Sequence, residues 1–290
     1  GNYGNNLPES RVPLSDGVGR IAALGDGVSG WDVGQRIIAP HFLTWGDGPF
    51  SMAAFGRDLG VTADGWLAEQ MVLPADALVA VPDGVSDATA ATLAVVGGTV
   101  WHAMVAFGET GPGKLVLAQG TGGVSIFALQ LAKALGAAFA ITSSSDDKLA
   151  KCRELGADFT VNYRDRPDWA AALLEATGGR GADVVVDTLG FPALGETVAA
   201  SATNARIGTV GALSGTPQAG VSVSQGLIIA KNITIKGIAS GSRAMLGNAL
   251  EVIAKSGAQM VVDKTFVFDD AASAYRHLES GAHMGKVLIG

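Results

Sequence analysis

Cysteine is nearly missing from this chain: Cys152 is the only one in 290 residues. A lone thiol can form neither an internal disulfide nor a cysteine-built zinc cluster, so a reducing, cytoplasmic setting is expected. Charge is scarce as well, at 16% of residues, and its balance is acidic: the net charge is −7, with no run of Lys or Arg. Nucleic-acid binding leaves a basic footprint, and its lack removes that class of partner. A long, wholly apolar run is missing too. The longest uncharged stretch, residues 88–108 ("ATAATLAVVGGTVWHAMVAFG"), approaches a membrane span in length. It holds Gly97, Gly98 and His102 among small residues and threonines, so a buried helical segment is expected and no membrane. The opening "GNYGNNLPESRVPLSD" lacks the basic-then-apolar pattern of a secretion signal.

What is present points to a packed α/β protein. Hydrophobic residues reach 48%, enough for a substantial core. The 41 glycines follow no three-residue period, which excludes collagen and implies many tight turns. From Lys114 short apolar runs alternate with helical patterns, the signature of a parallel, doubly wound sheet. Strands are expected at 115–118, 138–142, 159–162, 183–186, 207–210 and 233–238, and helices at 123–135, 147–155, 168–176 and 194–202. Gly156 and Pro167 read as helix punctuation, one after an end and one inside a start. Residues 1–105 differ: short strand patterns are cut by glycine, proline and aspartate turns, an all-β unit of rolled or barrel type. After Arg243 come a helix, the segment "KTFVFDDAASAYRHLESG" and the strand "KVLIG".

The stretch "KLVLAQGTGGVS", residues 114–125, runs a strand into a glycine turn that opens a helix. Such a turn brings backbone N–H groups to a pyrophosphate at a helix N-terminus. Gly120 allows the turn and Gly122 removes a side chain that would block the phosphate. Ser125 stands where the fingerprint wants its third glycine, a packing position that a small residue satisfies. A plain strand-to-helix turn has the same letters; its place at the head of a six-strand alternation favours the nucleotide reading. After the next strand an NAD site places an acid for the ribose hydroxyls. Here Ser143, Ser144 and Lys148 offer hydroxyls and a cation that suit a 2′-phosphate, while Asp146 and Asp147 fit the start of the following helix. NADP(H) is therefore expected ahead of NAD(H); the other reading is an ordinary serine-rich turn.

The motifs "PLSDGVGRI", "GWDVGQRII", "GGTVWHAM", "AQGTGGVSIFALQLAKALGA", "ELGADFTVNY" and "HMGKVLI" together resemble the medium-chain dehydrogenase/reductase superfamily, over essentially the whole chain. The nearest branch in pattern is the zinc-independent, quinone-oxidoreductase-like and alcohol dehydrogenase-like one. The resemblance implies a GroES-like β-rich catalytic domain (1–105 and 240–290), a Rossmann domain (106–239) and an active site in the cleft between them. Gly120, Gly122, Gly123 and Val124 fall on its pyrophosphate turn. Lys148 and Tyr163 fall where NADP-dependent relatives hold the 2′-phosphate and adenosine end. Thr99 and Gly211, Ala212 and Leu213 would approach the nicotinamide, and Gly285 and Lys286 match the closing "GK" near the cofactor. A homodimer through the nucleotide-binding sheet is implied by the resemblance. Relatives open with an "LN-Y-RD" motif ahead of the first residues here, so the β-rich domain is expected to be N-terminally incomplete. Zinc-bearing relatives place a histidine before the acid of "GHE", where Ser15 precedes Asp16, and a cysteine where Val95 stands. No zinc is expected.

Without a Lewis acid, removing a proton from an alcohol is hard, whereas a conjugated C=C or a quinone accepts a hydride readily. NADPH-dependent reduction of such an acceptor, a small molecule, is the expected reaction, with the proton from water or a hydroxyl. Two alternatives stand beside it: a zinc-independent, NADP-dependent alcohol dehydrogenase, and an NADPH-binding sensor or structural protein without turnover. No catalytic acid is identified. His41, Phe42 and Trp45 read either as the substrate mouth or as a surface aromatic turn. Arg243 reads either as a steering charge for an anionic substrate group or as a solvated one. His102 reads as core, and Cys152, with Leu149 and Leu155, as buried helix packing.

Overall fold

The structure, a computed structural model, describes residues 10–211 and 223–290. In chain order its elements begin with β1 (Gly19–Arg20), β2 (Arg36–Ile38), β3 (Val79–Ala80), α1 (Asp87–Leu93) and α2 (Val96–Trp101), which runs into a π-helical turn, His102–Phe107. The alternating part follows: β4 (Leu115–Gln119), α3 (Gly123–Ala134), β5 (Ala138–Ser143), α4 (Asp146–Glu154), β6 (Phe159–Asn162) and α5 (Trp169–Ala176). It continues with β7 (Ala182–Asp187), α6 (Leu194–Ala200), β8 (Ser201–Thr209), α7 (Gln225–Ala230) and β9 (Thr234–Gly237). The last elements are α8 (Arg243–Ser256), β10 (Val262–Phe266), α9 (Ala271–Glu279) and β11 (Lys286–Ile289).

The chain divides into two compact units, Gly1–Trp101 with Ala239–Met260, and His102–Ile238 with Val261–Gly290. In the first unit the small antiparallel sheet β1-β2-β3 covers a core of Ile37, Ala39, Leu43, Leu59 and Leu78, with Trp31 and Trp66 against it. Its strands are two or three residues long because glycine and proline turns cut them. Ser86 caps α1 by accepting from the Thr89 amide. α2 lies directly on α8: Gly97 faces Leu246 and Gly98 faces Gly241, so any side chain at either glycine would crowd the partner. The 88–108 stretch is thus a broken helical segment, largely buried. No single helix among the described residues is long and apolar enough to cross a membrane; Asp87–Leu93 and Val96–Phe107 pass that test only as a pair bent by 61°.

The second unit is a six-stranded parallel sheet in the order β6-β5-β4-β7-β8-β9. β4 is buried along its whole length, which is why its sequence reads as one apolar run without alternation. α3 buries Ile126, Phe127, Leu129 and Leu131. Strand order reverses on either side of β4, the place where open α/β sheets bind ligands at their carboxyl ends. The registers Gln119↔Thr142, Ser143↔Asn162 and Asp187↔Thr209 align those ends along one edge.

Two stretches depart from expectation. The helix expected over 194–202 stops at Ala200 and β8 starts at Ser201, because other groups take over the helix-end carbonyls. Lys231 Nζ donates to Ala199 O (2.8 Å) and Ser201 O (2.6 Å), and Ser201 Oγ to Thr197 O (2.7 Å). The expectation also assigned 240–290 wholly to the β-rich part. Only Ala239–Met260 packs there. Val261–Gly290 packs in the second unit, where β10 and β11 pair in parallel and Gly285 bridges to Gly122.

Cys152 on α4 is fully buried, and that burial pushes its thiol up to about 11. From its ordinary value of 9.0, this leaves roughly a hundredfold less thiolate at pH 8. Native protein is expected to resist a disulfide-exchange colorimetric reagent at pH 8 and to release one equivalent per chain once unfolded in guanidinium. A fast native reaction would mean that α4 opens locally.

Candidate functional site

Gly120 closes β4 with φ +73°, a conformation that favours glycine, and its amide donates to Thr142 O (2.8 Å). Gly122 is the N-cap of α3 and offers no side-chain cap, so the first amides of α3 have no partner from that residue. A Cβ at Gly120 or Gly122 would meet open space, which leaves room for a ligand to approach the backbone. Val124 lies half-buried in the first turn of α3. Ser125 is buried, and its Oγ donates to Gln119 O (2.7 Å). The hydroxyl at the third fingerprint position therefore pins helix to strand.

The turn is backed by the end of the chain. Gly285 N donates to Thr121 O (2.9 Å), and Gly285 has φ +72° with Val261 O where a Cβ would sit. The stem of Lys286 then crosses Gly123: a Cβ there would stand 2.7 Å from Lys286 Cε. These contacts gather Gly120, Gly122, Gly123, Gly285 and Lys286 at the N-terminus of α3.

At the end of β5, Ser143 is buried and Ser144 half-buried. Tyr163 N donates to Ser143 O (3.0 Å), which brings the half-exposed tyrosine beside the serines. Ser145, which sequence reasoning passed over, is the N-cap of α4, with Asp146 and Asp147 in its first turn. Lys148 Nζ donates to His283 O (2.8 Å) and Gly281 O (3.4 Å), so it ties α4 to the C-terminal segment.

A polar layer between β4 and β7 was also missed. Gln119 Nε2 donates to Thr197 Oγ1 (3.0 Å), and Thr188 Oγ1 to Gln119 O (2.8 Å). The fully buried Asp187 accepts from Gly190 N (3.0 Å) through Oδ1, while Oδ2 has no hydrogen-bond partner. Its signal was an acid closing the run "ADVVVD" beside the point where strand order reverses. Gly211 N donates to Asp187 O (3.2 Å) and sits against Thr188 O, too close for any side chain. Ala212 and Leu213 lie outside the described residues.

In the first unit Thr99 Oγ1 donates to Val95 O (2.8 Å) and lies 3.2 Å from Ser240 Oγ. Thr99 has one proton and gives it to Val95, so the serine donates in that pair. Ser240 has φ +149°, a strained conformation for a side-chain-bearing residue. Asp16 Oδ1 accepts from Val95 N (2.6 Å), and Ser15 Oγ donates to Leu59 O (2.6 Å). The loop 41–50 gathers its aromatic rings: Phe42 lies 4.7 Å from His41, 6.4 Å from Trp45 and 5.9 Å from Phe50, centroid to centroid. Arg243, exposed at the first turn of α8, donates its amide to Trp45 O (2.9 Å). Burial holds the His41 imidazole below its ordinary value against the pull of Asp58 and Asp16, so it is neutral at pH 7.

Comparison with known proteins places this arrangement. The alcohol dehydrogenase GroES-like domain family matches residues 1–83, and the zinc-binding dehydrogenase family matches residues 123–255. A zinc-type alcohol dehydrogenase-like protein of Schizosaccharomyces pombe is 39% identical over 282 residues, 96% of this chain and 81% of the relative. An acryloyl-coenzyme A reductase of Sulfurisphaera tokodaii is 28% identical, with 97% and 85% covered. A crystal structure of an NAD-dependent alcohol dehydrogenase superposes with a TM-score of 0.85 at 32% identity, covering 97% of this chain and 83% of that one. The chain belongs to the medium-chain dehydrogenase/reductase superfamily. Within it, the chain is an NAD(P)-dependent oxidoreductase.

Restoring the fingerprint with Ser125→Gly is expected to destabilise the protein by about 1–2 kcal/mol, through the lost hydrogen bond and the added chain entropy of glycine in a helix. Urea unfolding measures it; a variant as stable as the parent would mean that the Gln119 contact contributes nothing.

Proposed function

We propose that the chain is an NADPH-dependent reductase of a small molecule bearing an activated C=C bond or a quinone, and that it works without zinc. The observation that carries this reading is what stands at two positions, Ser15 and Val95. Where zinc-bearing relatives place a histidine and a cysteine, this chain has a serine bonded to a carbonyl and a valine whose amide is held by the Asp16 carboxylate. Zinc takes three or four thiolate, imidazole or carboxylate ligands, and among the described residues no three His, Cys, Asp or Glu side chains gather in that way. Neither a serine nor a valine is an ordinary zinc ligand, which supports a reaction without the metal. An acceptor whose negative charge spreads over an enolate or a hydroquinone anion suits such a site better than an alcohol does.

The nucleotide fits the second unit. Open space above Gly120 and Gly122, the uncapped start of α3 and the Lys286 stem across Gly123 suit a pyrophosphate. Ser143, Ser144 and Tyr163 offer hydroxyls where an NAD site would place an acid, which favours a 2′-phosphate. Bound there, NADPH supplies the hydride, while the protein orients it. The relative named as an acryloyl-coenzyme A reductase supports an acceptor conjugated to a carbonyl. A second reading, alcohol oxidation, draws on the relatives named as alcohol dehydrogenases.

Fluorescence titration is expected to give tighter binding of NADPH than NADH by at least about tenfold, the effect of one or two charge-assisted hydrogen bonds. Absorbance at 340 nm should then fall with an enal or a quinone and stay flat with a saturated ketone. NADP⁺ reduction by a saturated alcohol would replace the first reading with the second; NADH bound more tightly would sink the 2′-phosphate assignment. Lys286→Met is expected to weaken both cofactors alike, by about tenfold, because both carry the pyrophosphate. A loss confined to NADPH would move Lys286 to the other end of the site.

A further inference from the structure

His283 belongs to no role described so far, yet it sits on the short segment that joins two cations of the nucleotide site. Its carbonyl accepts from Lys148 Nζ (2.8 Å), and two residues on Gly285 binds Thr121. Asp263 holds the same segment from β10: Oδ1 accepts from Met284 N (3.0 Å), and Oδ2 lies 2.7 Å from His277 Nε2. The His277 and His283 rings meet edge to face, 6.5 Å between centroids. His283 Nδ1 is buried and has no hydrogen-bond partner.

We propose that His283 is a proton-switched cation of the cofactor site, which protonates when NADPH binds and adds positive charge beside the 2′-phosphate. This rests on the reading of Ser143, Ser144 and Lys148 as the 2′-phosphate end. Four charged or titratable groups face the ring: Lys148 from α4, Asp263 from β10, His277 from α9 and Lys286 from β11. The one carboxylate among them already has both oxygens engaged. Burial first, and then Lys148, hold the imidazole below its ordinary value, so it is neutral at pH 7 in the free protein. A phosphate beside it supplies the missing negative charge and raises its proton affinity, so binding takes up a proton. The gain in affinity therefore grows as pH falls from 8 toward 6. NADH carries no 2′-phosphate and gains nothing.

The test is calorimetry of NADPH and NADH binding to the whole protein in two buffers of different ionisation enthalpy, between pH 6 and 8. The expected result is net proton uptake of up to about one proton with NADPH and none with NADH. The 2′-phosphate, which itself titrates near pH 6, releases protons when a cationic site selects its dianion, and calorimetry reads the sum, so the difference between the parent and His283→Gln isolates the proton taken up by His283. In His283→Gln the proton balance should shift toward release by up to about one proton, with NADPH affinity about three- to fivefold weaker at pH 6 and unchanged at pH 8, as a partly exposed charge pair implies. The same net proton balance in variant and parent overturns the proposal. Absence of NADPH binding at every pH removes the cofactor reading and this proposal with it, whereas NADPH binding with an unchanged proton balance in His283→Gln removes the proposal alone.

Discussion

One backbone hydrogen bond, from Gly285 N to Thr121 O, decides how the second unit is assembled. It seats the last strand of the chain on the glycine turn, and it forms only because residue 285 has φ +72° with Val261 O where a side chain would stand. Any residue but glycine would be both strained and blocked there. From that single seat follow the stem of Lys286 across Gly123, the hold of Lys148 on the 281–283 carbonyls, and the clamp of Asp263 on Met284. The glycine turn is thus closed from behind by a segment far away in sequence.

The turn is also braced from inside. Ser125 and Thr188 both donate to the carbonyl of Gln119, while the Gln119 side chain reaches Thr197 and accepts from the Thr188 amide. These bonds join β4 to the starts of α3 and α6 at the carboxyl edge of the sheet, where a rigid backbone serves ligand recognition better than a mobile one. A glycine at position 125 would give closer packing and no bond. Serine gives nearly the same space and a helix fixed to the strand.

The first unit shows the same economy with polar groups. The Asp16 carboxylate is an internal strut to the Val95 amide, one residue along from Ser15 on Leu59. The Thr99–Ser240 hydroxyl pair and the close contact of Gly98 with Gly241 hold the start of α2 against the residues preceding α8, at a cost in backbone strain at Ser240. Strain of that kind persists where the surroundings over-determine the conformation.

Much of the fold was legible in the sequence because buried parallel strands are short continuous apolar runs and their helices are longer amphipathic ones. The stretches around 115–118, 138–142 and 159–162 and the helices between them were found within a residue or two. The glycine turn was legible for a local reason as well: its chemistry lies within six consecutive residues. What the sequence could not determine were pairings between distant segments. The split of 240–290 between two units, the carbonyl partners of Lys148, the strut from Asp16 to Val95 and the unpartnered oxygen of buried Asp187 all depend on which surfaces the folded chain brings together. Periodicity and turn chemistry act over a few residues, so the sequence alone determined most of the elements and the turn. Long-range packing selects the partners of each polar group, and only the tertiary structure decided those.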